Sequence, residues 1–176
     1  NVEMDLATGQ WLEKENLLAT TNALYQMTDP ERMLALLSDD LALQLFACKQ
    51  GFIRELPRER VDRLAKWLGF QMRWSDEASF SSQAGTLLDR YSLRATRFIL
   101  EKARSFAEQN RKKLLVVLFD PYRVMTDLQQ GRSRYDQEIV DYLVAEKFDF
   151  FDMNEVHLRD YQRYKGSFSD YMKQYF

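Results

Sequence analysis

Apolar positions along this chain follow two patterns: through the first 110 residues they recur at helical spacing, and from Lys112 onward they come in unbroken runs. Trp11, Leu12, Leu17, Leu18, Leu24 and Tyr25 place a helix between Trp11 and Met27, ended by Thr28-Asp29-Pro30. Asp29 is expected to cap the next helix, with Pro30 at its first position, where a missing N–H costs nothing, and Met33, Leu34, Leu36 and Leu37 along one side. Ser38-Asp39-Asp40 caps a third, running from Leu41 to Gln50 and stopped by Gly51. Pro57 opens a fourth, whose Val61, Leu64, Ala65 and Leu68 form an i, i+3, i+4, i+7 stripe before Gly69. A long helix follows from near Ser82 to Gln109, with Leu88, Tyr91, Ala95, Phe98, Ile99, Ala103 and Phe106 on its apolar face. Its other face, Asp89, Arg90, Arg94, Arg97, Glu101, Lys102 and Arg104, reads as solvated surface.

The pattern changes at Leu114-Leu115-Val116-Val117-Leu118-Phe119, aliphatic without alternation, as in a parallel strand covered on both faces. A loop from Asp120 to Arg134 leads to a helix over Tyr135 to Lys147, which buries Ile139, Val140, Leu143 and Val144. A second strand spans Phe148 to Met153, and the connection is long enough for a parallel crossover. A strand covered on both faces needs a neighbour on each edge, because its backbone donors and acceptors must be paired. Gly51 to Leu56 or Phe70 to Trp74 could supply one, or the sheet continues in sequence outside these 176 residues; the uncapped end, Ser167 to Phe176, favours the latter. The expected fold class is α/β: a partial parallel sheet with flanking helices in residues 82–176, preceded by a mostly helical region in residues 1–81, the whole a piece of a larger protein.

Composition narrows the function classes. With 45% hydrophobic and 14% aromatic residues the chain has a core to bury, and a net charge of -2 with mixed signs offers no basic face for nucleic acid. Cys48 and His157 are each the only residue of their kind, so no disulfide closes within the chain, no cysteine cluster holds a metal, and neither metal nor cofactor is expected. No apolar run approaches the roughly 18–20 residues that span a bilayer. Opening on Asn1 points to processing or excision from a longer chain, and the compartment stays open.

In open parallel sheets ligands bind beyond the carboxyl ends of the strands. That rule gathers Asp120, Tyr122, Arg123, Asp152, Asn154 and His157 at one rim, with Tyr122 and Arg123 as substrate-contacting candidates. An acid and a histidine so placed suit the orienter and base of a hydrolytic triad. The same residues also fit a plainer role: Asp-Pro is a common strand exit, Asp152 can cap the next turn, and a lone histidine in a polar segment often faces solvent. A nucleophile is missing, since the chain has no Gly-x-Ser-x-Gly elbow, phosphate loop or dinucleotide turn. Gly166-Ser167 reads as a loop followed by a helix cap.

The order Lys112 to Pro121, then the tyrosine-led helix from Tyr135, then Asp149 to His157, resembles the late β-α-β portion of SGNH or GDSL-type hydrolases, over residues 88–176. The resemblance implies a flavodoxin-like three-layer sheet of about five strands. It also implies ester or acyl hydrolysis in the complete parent by a serine, with oxyanion donors stabilising the developing charge, and a small-molecule ester as substrate. The family's Gly-Asp-Ser and Gly-x-Asn-Asp blocks do not occur here, and Asn154-Glu155-Val156-His157 carries Asn where the family's final block has Asp. The resemblance therefore places that block beyond Phe176 and implies that these residues alone are inactive.

Two rival readings remain. One is a protein-interaction module in the helical region, with Met27, Met33, Trp67, Met72 and Trp74 available to a partner. The other is a receiver-like regulatory α/β domain, in which Asp120 at a strand end binds Mg²⁺ or accepts phosphate.

Overall fold

The computed structural model describes residues 2–15, 19–25, 28–29, 31 and 38–176, and shows a mixed α/β chain that is mostly helical with two small sheets. It divides into two compact units, Asn1–Ala95 and Thr96–Phe176, so the boundary falls within one continuous helix.

The first unit opens with a hairpin that the apolar spacing hid. Strands β1 (Val2–Met4) and β2 (Trp11–Glu13) pair antiparallel, Val2 opposite Glu13 and Met4 opposite Trp11. The Asp5 carboxylate makes the turn by accepting from the Ala7 amide at 2.8 Å and the Thr8 hydroxyl at 2.9 Å, a local bond that competes with helix formation. Gly9 then takes a left-handed φ of 73°. The helix expected from Trp11 to Met27 is therefore corrected at its start: Trp11–Glu13 is strand, and helix α1 covers Thr21–Tyr25. Leu17, Leu18 and Met27 lie outside the described residues, as do Pro30, Met33, Leu34, Leu36 and Leu37, though the Glu31 amide does donate to Asp29 at 3.0 Å.

Helices α2 (Leu41–Lys49) and α3 (Arg58–Trp67) form as read, with the Asp40 side chain accepting from the Leu43 amide at the start of α2 and Gly51 leaving its end at φ 77°. Leu41, Leu45 and Cys48 of α2 meet Val61, Leu64, Ala65 and Leu68 from α3, joined by Met4, Met72, Ala84 and Leu87. Side chains of this kind are worth roughly 1.5–3 kcal/mol each when fully buried. The segments Gly51 to Leu56 and Phe70 to Trp74 contain no strand. Instead Gln83, itself buried, holds Arg73 by its backbone, accepting from the Arg73 amide at 2.6 Å and donating to the Arg73 carbonyl at 3.3 Å.

Helix α4 runs Phe80–Gln109. Ala84, Leu87, Ala95 and Ala107 are its buried apolar positions, whereas Ile99 and Phe106 are exposed. The expected apolar face is thus corrected in its second half, where charged residues do the packing. Arg97 lies over the Tyr142 ring at 4.5 Å and Arg104 over the Phe148 ring at 3.6 Å, while the Tyr142 hydroxyl donates to Glu101 at 3.1 Å. A guanidinium is planar and weakly hydrated, so it stacks on an aromatic face at little desolvation cost.

In the second unit β3 (Val116–Leu118) and β4 (Phe150–Asp152) pair parallel, with Val116 opposite Phe150 and Leu118 opposite Asp152. Between them come α5 (Arg123–Gln129), inside the segment read as a loop, and α6 (Gln137–Ala145), which buries Ile139, Tyr142 and Leu143 but leaves Val144 exposed. Helices α7 (Met153–Tyr161) and α8 (Phe168–Tyr175) follow, α7 packing on β3 and α5. Ser167 caps α8 by accepting from the Asp170 amide at 3.1 Å. The reading of a strand covered on both faces is corrected: burial alternates along β3, and Leu115, Val117, Phe119 and Phe151 stand outward, Leu115 at 62% exposure and Val117 at 50%.

Candidate functional site

The carboxyl ends of β3 and β4 meet through one side chain. Asn154, fully buried in the first turn of α7, accepts from the Asp120 amide through Oδ1 at 2.9 Å, and its own amide donates to Asp152 at 3.0 Å. Asp152 is the N-cap of α7, so an anion sits at the positive end of that helix. The structure therefore brings Asp120, Asp152 and Asn154 into direct contact.

Both oxygens of each carboxylate are hydrogen-bonded within the fold. One Asp120 oxygen accepts from the amides of Tyr122 (3.1 Å) and Arg123 (2.9 Å), which starts α5, and the other accepts from the Tyr135 hydroxyl at 3.1 Å. That phenol is pushed up to about 12, first by burial and then by the charge of Asp120 beside it. Asp152 pairs through its second oxygen with Arg134, whose guanidinium is 5% exposed and also holds Asp136 at 2.5 and 2.9 Å. Burial works against the Arg134 charge, but the hydrogen bonds and charges of Asp136 and Asp152 outweigh it and raise its pKa. Arg123 stacks on the Tyr135 ring at 3.8 Å, and Tyr122 projects outward, 69% exposed.

His157 lies one turn further along α7 and points to a different set of partners. Its Nδ1 is 2.9 Å from the Tyr171 hydroxyl on α8, and that hydroxyl is 3.1 Å from the Asp160 carboxylate. Phe119, which precedes Asp120, faces the imidazole at 6.0 Å between ring centres, and Phe176 at 4.8 Å. His157 is thus beside the rim but makes no hydrogen bond with Asp120, Asp152 or Asn154. Sequence reasoning missed Arg134, Tyr135, Asp160 and Tyr171; the polar run Gly131 to Asp136 gives no sign that one arginine in it is buried.

No family model, no curated protein and no solved structure matches this chain. What the arrangement can do must therefore be read from its chemistry. Every oxygen of Asp120 and Asp152 accepts at least one hydrogen bond from the fold, so both carboxylates hold the rim together. Among the described residues no group of three or more His, Cys, Asp or Glu could hold a metal, and no helix is long and apolar enough to cross a membrane. A recess of about 680 Å³ in the first unit is lined by Met4, Leu41, Leu64 and Tyr91 together with Glu3 and Lys14, which pair with each other. Cys48, the one thiol, is buried in the core, and burial pushes its pKa up, away from nucleophilic chemistry.

Proposed function

We propose that these residues are the late β-α-β portion of an SGNH or GDSL-type serine hydrolase, and that the complete parent hydrolyses a small ester or acyl substrate without a cofactor. The observation that carries this reading is the parallel register of β3 with β4, which sets Asp120 and Asp152 at one rim with Asn154 joining them. In this reading the rim is scaffold for the site. The nucleophile and base of ester hydrolysis belong to Gly-Asp-Ser and Asp-x-x-His blocks that the sequence does not contain, His157 is not that base, and the outward face of Leu115, Val117 and Phe151 lies inside the parent's three-layer sheet.

The test is the coding sequence around this segment. A Gly-Asp-Ser block ahead of Asn1, or an Asp-x-x-His or His-x-x-x-x-Gly block soon after Phe176, supports the reading, and the absence of all three sinks it. The 176-residue chain is expected to have no esterase activity, so turnover of p-nitrophenyl acetate that disappears in His157→Ala would overturn the assignment of the chemistry to other residues.

A partner-binding role for residues 1–81 is the second reading. It is favoured by Phe52, 78% exposed, and by Leu24 and Tyr25 standing outward on α1. Met72 does not support it, being part of the core.

A further inference from the structure

His157, Tyr171 and Asp160 share two hydrogen bonds, and the proton count along them fixes which nitrogen of the imidazole is free. A phenol has one proton to give, and an ionised carboxylate can only accept. The Tyr171 hydroxyl lies 3.1 Å from Asp160 and 2.9 Å from His157 Nδ1. Tyr171 is fully buried, and burial together with the Asp160 hydrogen bond pushes its phenol up to about 12, so it is protonated at neutral pH. With that proton committed to Asp160, the phenolic oxygen must accept from His157, and Nδ1 must carry hydrogen. Nε2 then bears the lone pair. Phe119 and Phe176 flank the ring.

We propose that His157 is a proton-accepting site: its Nε2 takes the proton of a water or alcohol, with Tyr171 and Asp160 as positioning residues. In that step the O–H bond of the water or alcohol breaks, its electron pair stays on oxygen, and the proton bonds to Nε2. The resulting imidazolium donates through Nδ1 to Tyr171, whose own proton stays on the hydrogen bond to Asp160. This is the logic by which a third group orients a histidine base, here supplied from α8 and from the residue one turn along α7. The proposal does not depend on the hydrolase reading, because it follows from hydrogen-bond partners within α7 and α8.

The chain has one histidine, so the test is free of overlap. Long-range ¹⁵N–¹H correlation spectra of the histidine-labelled chain should show the Nδ1–H tautomer. In Tyr171→Phe the ring should move toward the Nε2–H form usual in water, and in Asp160→Ala, which removes the acceptor of the phenolic proton, that proton should turn toward His157 with the same result. With diethyl pyrocarbonate as the electrophilic probe, Nε2 carbethoxylation should be several-fold slower in both variants. Asp160 is on the surface, so Asp160→Ala tests the idea even if Tyr171→Phe fails to fold. An Nε2–H tautomer in the unaltered chain, or a spectrum unmoved by Asp160→Ala, overturns the proposal. Flanking sequence without the hydrolase blocks would remove the hydrolase reading and leave this result untouched.

Discussion

The Asp120 amide and the Asn154 carboxamide oxygen, 34 positions apart in sequence, are joined by a 2.9 Å hydrogen bond in the floor of the rim. Asn154 Nδ2, by contrast, is buried with no protein partner. Replacing Asn154 by Ala strands the Asp120 N–H in a water-poor setting, and a buried donor left unsatisfied costs about 1–3 kcal/mol. A urea denaturation midpoint that falls without a change in slope is the expected outcome. A midpoint unchanged in Asn154→Ala would mean that the bond contributes nothing.

Arg134 is held by two carboxylates and is nearly sealed from solvent. Removing one partner of a buried pair leaves the other charge uncompensated, at about 3–5 kcal/mol. Arg134→Met should therefore lose most of the stability of the second unit, and Arg134→Lys should recover only part of it because an ammonium cannot fork to Asp136. Circular dichroism melts of the two variants decide the order.

Gly9 and Lys147 share the left-handed backbone and should respond oppositely to substitution. A Cβ at Gly9 would sit 2.6 Å from the Trp67 ring, whose Nε1 donates to the Leu6 carbonyl at 3.1 Å. Gly9→Ala should destabilise by more than about 1 kcal/mol and shift the tryptophan emission. Lys147, at φ 55°, ends α6 with a side chain that this conformation disfavours. Lys147→Gly should gain on the order of 0.5–1 kcal/mol, the relief of left-handed strain less the entropy of a freer unfolded chain, read as a raised thermal midpoint.

Tyr91, Tyr135 and Tyr171 are each pushed up to about 12 from the ordinary 10.0, with burial as the first cause in every case. A phenol that holds its proton longer when folded stabilises the fold below pH 10, and that contribution is lost as the pH rises from 10 toward 12. Of nine tyrosines, at least these three should ionise late in a tyrosinate absorbance titration, together with unfolding. Nine smooth ionisations near pH 10 in a still-folded chain would contradict this.

What the sequence revealed was whatever local chemistry determines. Asp40 before α2, Ser167 before α8 and the Val61 stripe were legible, because caps and periodicity act over a few residues, and the parallel rim followed from the length of the connection between the two strands. The hairpin at Trp11 was hidden because a strand of three residues is too short to show alternation, while the adjacent Trp11 and Leu12 fit a helical stripe. The long helix ended at Gln109 as read, whereas the end of α6 was unmarked, because Lys147 makes its left-handed turn without glycine. Arg97 and Arg104 were read as solvated because stacking on Tyr142 and Phe148 depends on residues some forty positions away. The site candidates divided in the same way. Asp120, Asp152 and Asn154 come together by strand topology, whereas the partners of His157 depend on how α8 folds back on α7.

The parallel pairing of β3 with β4 also sets a clock. Val116 meets Phe150 only after the intervening chain has closed on itself, an ordering cost on the order of 3 kcal/mol for a loop of this length. The Asp120–Asn154 bond spans the same separation, so it requires the same closure and no other. Helices α5 and α6 can form beforehand, within their own few residues, but the floor of the rim cannot. A refolding chain should therefore acquire its strand pairing and its rim hydrogen bonds in one kinetic phase, later than the bulk of its helicity.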